Sequence, residues 1–332
     1  MSRKKRVLSV DGGGIRGVIA STLLVELEDR LRSRYGDDTH IADFFDLFTG
    51  TSTGGIIIAG LLTPDKNGKP LWRARDIQEV YVKEAKTIFT RSLAHRITSL
   101  GGMKDEKYDG RGLEKIVRYR FGTTFLSELL KPTLIPTYEL SLRSLFFFRS
   151  YRGVKNSAYD FPLTDVTRAT SAAPTYFEPM EVTARDGKKY HCIDGGVVLD
   201  NPTLSAFIEA KKLWHVDTTN TLVLSLGTGT HTAPLAFSDF KDRGLLPWVK
   251  PLITIMMEGS VSAVDYQMRT LFESNNSGDN YLRIEPALIG VDGSMDCTDS
   301  ENIQKLLKLT QEHLARPEVS TKLDAFVELL GE

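Results

Sequence analysis

Phe48-Thr49-Gly50-Thr51-Ser52-Thr53-Gly54-Gly55 is the stretch whose reading decides the fold. An apolar run, Phe44 to Phe48, leads into it, and a second, Ile56 to Leu62, leads out. The first reads as a short buried strand and the second as a helix. Gly50-x-Ser52-x-Gly54 between them is the pattern of a nucleophile elbow, a sharp turn that lifts a serine hydroxyl above the edge of a sheet. Such a turn forces the serine into an unfavourable backbone conformation, and a Cβ at Gly50 or Gly54 would collide across the bend. The helix that follows points its amide dipoles at the serine, where an oxyanion would be stabilised. The same five-residue pattern also arises by chance as a small-residue turn, so the flanking strand and helix are what give it weight.

Outward from the elbow, the order of elements is that of a parallel α/β sheet. Arg6 to Val10 reads as a buried first strand that ends at Asp11-Gly12-Gly13-Gly14-Ile15-Arg16-Gly17. Val18, Leu23, Leu24, Leu27 and Leu31 then mark one face of a helix. Strand, glycine loop, helix, strand, serine turn, helix is a βαβα unit. Further on, helices are expected over 75–89 and 112–121, the second stopped by Gly122, with strands over 134–140 and 144–149. Leu145 to Phe148 reads as a core strand rather than a membrane wedge. Residues 91–108 are polar and without period, a surface excursion with a loop over the site as the alternative. Pro162 to Ala173 reads as a small-residue helix, Lys189 to Ile193 as a strand entering Asp194-Gly195-Gly196, and Asn201-Pro202 as a helix start. Thr221 to Leu226 is a strand entering Gly227-Thr228-Gly229-Thr230; a long apolar helix covers Trp248 to Phe272, Tyr281 to Glu285 is an edge strand, and two helices finish the chain. One domain over 1–332 is the simplest organisation, with the motifs at about residues 6–230 and a helical part at about 245–332.

Composition narrows the function. A chain of 332 residues buries a large core, and its formal net charge of −1 points neither to nucleic-acid polymers nor to a strongly basic membrane surface. Two isolated cysteines, Cys192 and Cys297, argue for free thiols rather than a disulfide framework or zinc site. Val7 to Val10 is too short for a signal-peptide core, and no stretch approaches the about 20 apolar residues that span a bilayer. The expected location is the cytoplasm.

The glycine loop admits two chemistries. Gly12-Gly13-Gly14-Ile15-Arg16-Gly17 matches G-x-G-x-x-G in the strand-to-helix context of a dinucleotide fingerprint. That fingerprint also wants a carboxylate at the end of the second strand, where this chain delivers Ser52 instead. Consecutive glycine amides also form a nest for developing negative charge, with Arg16 adding a positive one, and an oxyanion hole fits better. Ser52 then needs a base. None of His40, His95, His191, His215, His231 and His313 is placed as catalytic histidines usually are. Asp194 ends a strand ahead of two glycines, which would set its carboxylate at the sheet edge of Ser52. A desolvated aspartate can act as a general base, although Asp-Gly by itself is an ordinary turn.

Taken in order, Asp11 to Gly17, Gly50 to Gly54 and Asp194-Gly195-Gly196 resemble the patatin-like phospholipases. Thr170-Ser171-Ala172-Ala173-Pro174-Thr175-Tyr176-Phe177 and Leu224-Ser225-Leu226-Gly227-Thr228-Gly229-Thr230 are similar to two further stretches of that family. The likeness runs from about residue 6 to 230, weakens beyond 280, and shows no departure at the motif positions. It implies a three-layer α/β fold with a central mostly parallel sheet flanked by helices. It implies a serine–aspartate dyad, Ser52 as nucleophile and Asp194 as base, with Gly12, Gly13 and Gly14 as the oxyanion nest, chiefly through the amides of Gly13 and Gly14, and Arg16 in support. The implied reaction is hydrolysis of acyl esters of membrane phospholipids, without metal or cofactor. In size and style the chain is similar to bacterial patatin-like effectors of anti-phage defence, which implies a cyclic dinucleotide activator and peripheral contact with the inner membrane face; a homo-oligomer is a further expectation. Two rival readings remain open: a nucleotide-binding regulatory module built on the glycine loop, and a Ser-His-Asp esterase with His215 or His231 as base. Within the long helix, Leu252, Ile255, Met256, Gly259, Ala263, Tyr266 and Met268 make an apolar surface opposite Lys250, Glu258, Asp265, Gln267 and Arg269. That surface is either a core face or one that covers the site, pairs with another subunit or meets lipid.

Overall fold

Both faces of the inner strands are apolar, so the sheet needs a helical layer on each side. The computed structural model describes residues 3–89, 107–108, 110–241 and 248–332. In β1 (Lys5–Val10), Leu8 and Val10 enter one core and Val7 the other. The same alternation recurs in β2 (Leu47–Gly50), where Leu47 and Phe48 part company, and in β3 (Thr133–Glu139), where Leu134 and Ile135 do. β4 (Ser144–Arg149), β5 (Met180–Thr183), β6 (Lys189–Asp194), β7 (Thr221–Leu226) and β8 (Tyr281–Ile284) complete the sheet. Its order is β5-β6-β3-β2-β1-β7-β8, with β4 added on β3. β3, β2, β1, β7 and β8 run parallel, whereas β4, β5 and β6 join antiparallel.

Helices α1 (Gly17–Tyr35), α2 (Thr53–Leu62), α3 (Ala74–Lys83), α4 (Arg111–Phe121) and α5 (Leu163–Thr170) cover one face. α6 (Thr203–Trp214) and α7 (Val249–Glu273) cover the other. α8 (Ser300–Leu314) and α9 (Pro317–Leu329) return to the first face. This is the three-layer α/β architecture that the motif order implied.

One feature of the sheet positions Ser52 and Asp194. Leu134 of β3 pairs with Thr49 of β2 on one side and Arg149 of β4 on the other. Thr137 pairs with Asp194 of β6 on one side and Phe146 of β4 on the other. β4 therefore takes one edge of β3, while β2 and β6 divide the opposite edge between them. Being antiparallel to each other, β2 and β6 meet with their C-terminal ends facing across Ile135 and Pro136.

Several boundaries differ from the sequence reading. Phe44 and Phe45 are not in a strand: Ile41–Phe44 is a one-turn helix in which Asp43 accepts the His40 N–H. The Asp46 side chain accepts the Arg6 N–H, so pairing with β1 starts only at Leu47. β4 pairs only with β3, and Leu145 is 37% exposed, so the Leu145 to Phe148 run is an edge strand buried through Phe148 alone. α5 stops at Thr170, and Ser171 to Ala173 leave it for the sheet. On α7 the buried stripe is Met257, Val264, Met268 and Phe272; Leu252, Met256, Gly259, Ala263 and Tyr266 lie exposed. Of the expected apolar surface only Met268 joins the core stripe. The excursion expected over 91–108 falls outside the described residues except for Lys107 and Tyr108.

Candidate active site

Strain marks the elbow. Ser52, at the junction of β2 and α2, has φ 53° and ψ −120°, a backbone conformation that a residue bearing a Cβ holds only when its surroundings dictate it. A Cβ on Gly54 would lie 2.2 Å from the Val10 carbonyl oxygen, and one on Gly50 would lie 2.3 Å from the Gly54 carbonyl. Helix α2 can thus cross the end of β1 only with glycine at both places. The Ser52 N–H donates to Thr170 Oγ1 at 3.0 Å, and that hydroxyl donates to the Pro136 carbonyl at 2.6 Å. Thr170 therefore ties the elbow to the stretch of β3 over which β2 and β6 face each other.

Asp194 reaches the site from the other direction. Its carboxylate arrives at the end of β6, which runs antiparallel to β3, and there meets the Ser52 side chain in a hydrogen bond. Its N–H donates to the Ala172 carbonyl at 3.0 Å, and Gly196 N–H donates to Asp194 Oδ1 at 2.7 Å. Ser52 is 7% exposed and Asp194 2%. Burial pushes the Asp194 carboxyl up to about 7, while hydrogen bonds from the Gly196 amide and the Ser52 side chain work against the rise. A second carboxyl, unforeseen in the sequence, stands close by. Asp200 is also raised to about 7, first by burial and then by the charge of Asp194, with Arg16 opposing. Its Oδ1 has no hydrogen-bond partner among the described residues and sits where a Cβ on Gly12 or Gly196 would fall.

The glycine loop is held on three sides. Gly12 N–H donates to the Asp200 carbonyl at 3.1 Å, Thr228 Oγ1 donates to the Gly12 carbonyl, and Ile15 N–H donates to the Met295 carbonyl at 2.8 Å. Gly12 is thereby committed and has no amide left to offer an oxyanion, which corrects its place in the expected nest. The amides of Gly13 and Gly14 have no acceptor among the described residues. Both residues have positive φ, 154° and 60°, and a Cβ on Gly14 would strike the Met295 carbonyl at 2.3 Å. Arg16 is buried; its Nε donates to the Gly13 carbonyl at 3.4 Å and Nη1 to the Gly229 carbonyl at 3.2 Å. In this arrangement the guanidinium fastens the loop to the segment after β7.

These groups open into a cavity of about 530 Å³, part of it open to solvent. Ser52, Asp194 and Gly14 line it together with an apolar wall that includes Ile56, Ile88, Phe89, Leu113 and Phe177. Met257 of α7 and Met295 of the segment before α8 complete the wall, both from beyond the stretch that carried the motifs. Thr170 was legible as the first residue of the Thr170 to Phe177 stretch but not as the partner of the Ser52 amide; nothing local distinguishes Met257 or Met295. The two alternative bases lie elsewhere. His215 follows α6 ahead of β7, at the opposite end of that strand from the elbow. His231 Nδ1 pairs with Glu258 Oε1, and the ring lies against Gly293 rather than on the cavity wall. No group of His, Cys, Asp and Glu among the described residues is arranged to hold a metal ion.

Comparison with known proteins gives a consistent result. Residues 8–207 match the family described as patatin-like phospholipase. Patatin-like protein 2 of Arabidopsis thaliana is 34% identical over 96% of this chain and 85% of its own length. Patatin-like protein 2 of Oryza sativa subsp. japonica is 32% identical over 98% of this chain and 88% of its own. Patatin-2-Kuras 3 of Solanum tuberosum is 30% identical over 98% of this chain and 87% of its own.

Proposed function

Since the chain belongs to the patatin-like phospholipase family and is a lipid acyl hydrolase, we propose that Ser52 and Asp194 perform the hydrolysis as nucleophile and general base. Ser52 Oγ attacks the ester carbonyl of a membrane glycerophospholipid while its proton passes to Asp194. The amides of Gly13 and Gly14 hold the tetrahedral oxyanion. Collapse expels the alcohol, which takes the proton from Asp194, and leaves the acyl group on Ser52. Asp194 then deprotonates a water that attacks the acyl-enzyme, and fatty acid departs as Ser52 recovers its proton. The observation that supports this reading is the meeting of a strained serine with a desolvated carboxyl across Ile135 and Pro136, at one wall of an apolar cavity. An aspartate with its proton affinity raised to about 7 is matched to taking and returning a proton near neutral pH.

The test is covalent and catalytic together. A fluorophosphonate probe is expected to label Ser52, and Ser52→Ala to remove both labelling and fatty-acid release from vesicles while thermal unfolding stays cooperative. Turnover persisting in folded Ser52→Ala protein would sink the assignment. The narrower reading, a cytoplasmic defence enzyme switched on by a cyclic dinucleotide at the inner membrane face, draws no support from the site geometry. Lipid mass spectrometry of the purified protein with and without cyclic dinucleotides decides it, because an activator must raise fatty-acid release. No helix among the described residues is long and apolar enough to cross a membrane.

A further inference from the structure

Next to the cavity that holds Ser52 lies a second one, of about 360 Å³, part of it also open to solvent. The two share a partition made by Ile56 and Tyr81, which line both. Ile56 and Gly60 are four residues apart in α2 and share one face of that helix, four and eight residues on from Ser52 at its N-terminus. Gly60 is thereby about 12 Å from Ser52 along the axis, at 1.5 Å per residue. The rear chamber occupies the space between α2, α3 and α4, walled by Ile77, Val80, Ile116 and Val117. At its far end the Trp72 ring rests on Phe121, with centroids 6.0 Å apart. Arg120 closes that end from outside, its guanidinium 5.4 Å from the Trp72 ring and bound to Glu84 at 2.9 Å.

The two halves of the partition are held differently. The Tyr81 hydroxyl donates to the Thr53 carbonyl at 3.1 Å and accepts from Thr53 Oγ1 at 2.5 Å, in a fully buried setting. Ile56 has no such anchor and is only partly buried, although its neighbours in α2 are buried. Gly60 keeps the floor of the rear chamber clear, because a Cβ there would stand 3.0 Å from Ile77 Cδ1.

We propose that the rear chamber is the compartment for the distal half of a long acyl chain, and that Ile56 is the gate through which the chain passes. The inference rests on the hydrolase reading of Ser52. With the ester carbonyl at Ser52, the chain passes along the face of α2 that carries Ile56 and Gly60, turns Ile56 aside, and ends against Trp72 and Phe121. The wall it meets is apolar throughout, with Asp76 and Arg120 only at the rim. Each methylene buried there favours binding by roughly fourfold, so the enzyme discriminates by chain length and prefers long-chain esters. The alternative course, a tail that leaves by the front mouth into the lipid surface, would make the enzyme indifferent to the rear wall.

Two measurements test this. The first compares p-nitrophenyl palmitate with p-nitrophenyl butyrate. Val117→Trp, which fills the rear chamber, and Ile56→Trp, which blocks the gate, are each expected to lower the palmitate-to-butyrate ratio of kcat/KM by at least about tenfold. A ratio unchanged in both variants overturns the proposal. The second needs no turnover. In a Ser52→Ala protein with Trp214→Phe and Trp248→Phe, Trp72 is the remaining tryptophan. Palmitate brominated at its terminal carbon is expected to quench Trp72 fluorescence strongly, and palmitate brominated beside the carboxylate weakly. Equal quenching, or none, again overturns it. Tail-specific quenching by a protein whose unsubstituted form hydrolyses no ester would leave the compartment standing and remove the hydrolase assignment instead.

Discussion

Asp194 sets the pH dependence of the proposed chemistry. Only its ionised form can accept the Ser52 proton, and burial has moved that ionisation up to about 7. Hydrolysis is expected to fall as pH drops below 7, approaching about tenfold per pH unit as a single carboxyl is protonated. Asp194→Asn, which keeps the shape and removes the acceptor, should cost at least ~10²-fold in kcat. Asp200 adds a second effect. Its carboxyl faces Asp194, Arg16, Glu285 and Arg283, and is likewise raised to about 7. Asp200→Asn removes a negative charge from beside Asp194, so the acid limb of the kcat/KM profile should move to lower pH. The same substitution bears on stability. Both carboxyls titrate higher in the folded chain than in the unfolded one, so between about pH 4 and 7 the folded state holds protons that the unfolded state has lost. Stability therefore declines as pH rises through that window, and Asp200→Asn should flatten the decline in urea titrations run at pH 5 and pH 8. A profile unmoved by Asp200→Asn would mean that the two carboxyls do not interact.

At the scale of elements, the N-terminal part of α7 reaches past the edge of the sheet where Ser52 lies. Met268 and Phe272 pack against Val7, Leu47 and Tyr281, toward the start of the parallel strands. Met257 lines the cavity at their other end. The eight residues from Val249 to Met256 therefore extend about 12 Å past the level of the site. Leu252 and Met256 are each 46% exposed on that projection, and Trp248 at its tip stacks on Phe240. An apolar projection beside the mouth of the Ser52 cavity of a lipid acyl hydrolase is suited to entering the surface of a bilayer. Met256→Glu is expected to reduce sedimentation with phosphatidylcholine vesicles and hydrolysis of them several-fold, with little change in turnover of a short soluble ester. Equal loss on both substrates would assign α7 a structural part only.

Across the whole molecule, the C-terminal helices close the first layer. Leu306 of α8 and Leu323 and Phe326 of α9 are buried in the core that also holds Leu23, Leu24 and Leu27 of α1. Arg30 of α1 reaches α9, donating to the Ser320 carbonyl at 2.9 Å and to Asp324 Oδ1 at 2.8 Å. β8 adds to the same sheet as β1. With the sheet and core continuous from β1 to α9, the chain is expected to unfold in one transition, with tryptophan fluorescence and far-ultraviolet circular dichroism giving coincident urea curves. Leu306→Ala leaves a cavity under α1 and should cost about 2–5 kcal/mol, lowering the midpoint by both probes together. Separate transitions for the two probes would identify the C-terminal part as an independent unit.

The sequence by itself determined the elements whose geometry is dictated by near neighbours. Gly50 and Gly54 around Ser52 specify the elbow because its sterics are settled within a few residues, and the glycine loop between β1 and α1 is legible for the same reason. Strand-helix alternation then leaves few arrangements other than a parallel α/β sheet. What tertiary structure alone decided depends on groups far apart in the chain. That β2 and β6 share one edge of β3 follows from long-range pairing, so the sequence could place Asp194 at a strand end but could not show that the strand comes from the opposite direction. Gly12 looks identical to Gly13 and Gly14 in the sequence, and only the approach of the Asp200 carbonyl removes its amide from use. The apolar pattern of α7 fits two stripes at helical spacing, and which one is buried was settled by what the sheet presented to it. Thr170 stood in a legible stretch but not as the acceptor of the Ser52 amide, and Met257 and Met295 carry no local signal, because these roles come from the packing of three distant segments around Ser52.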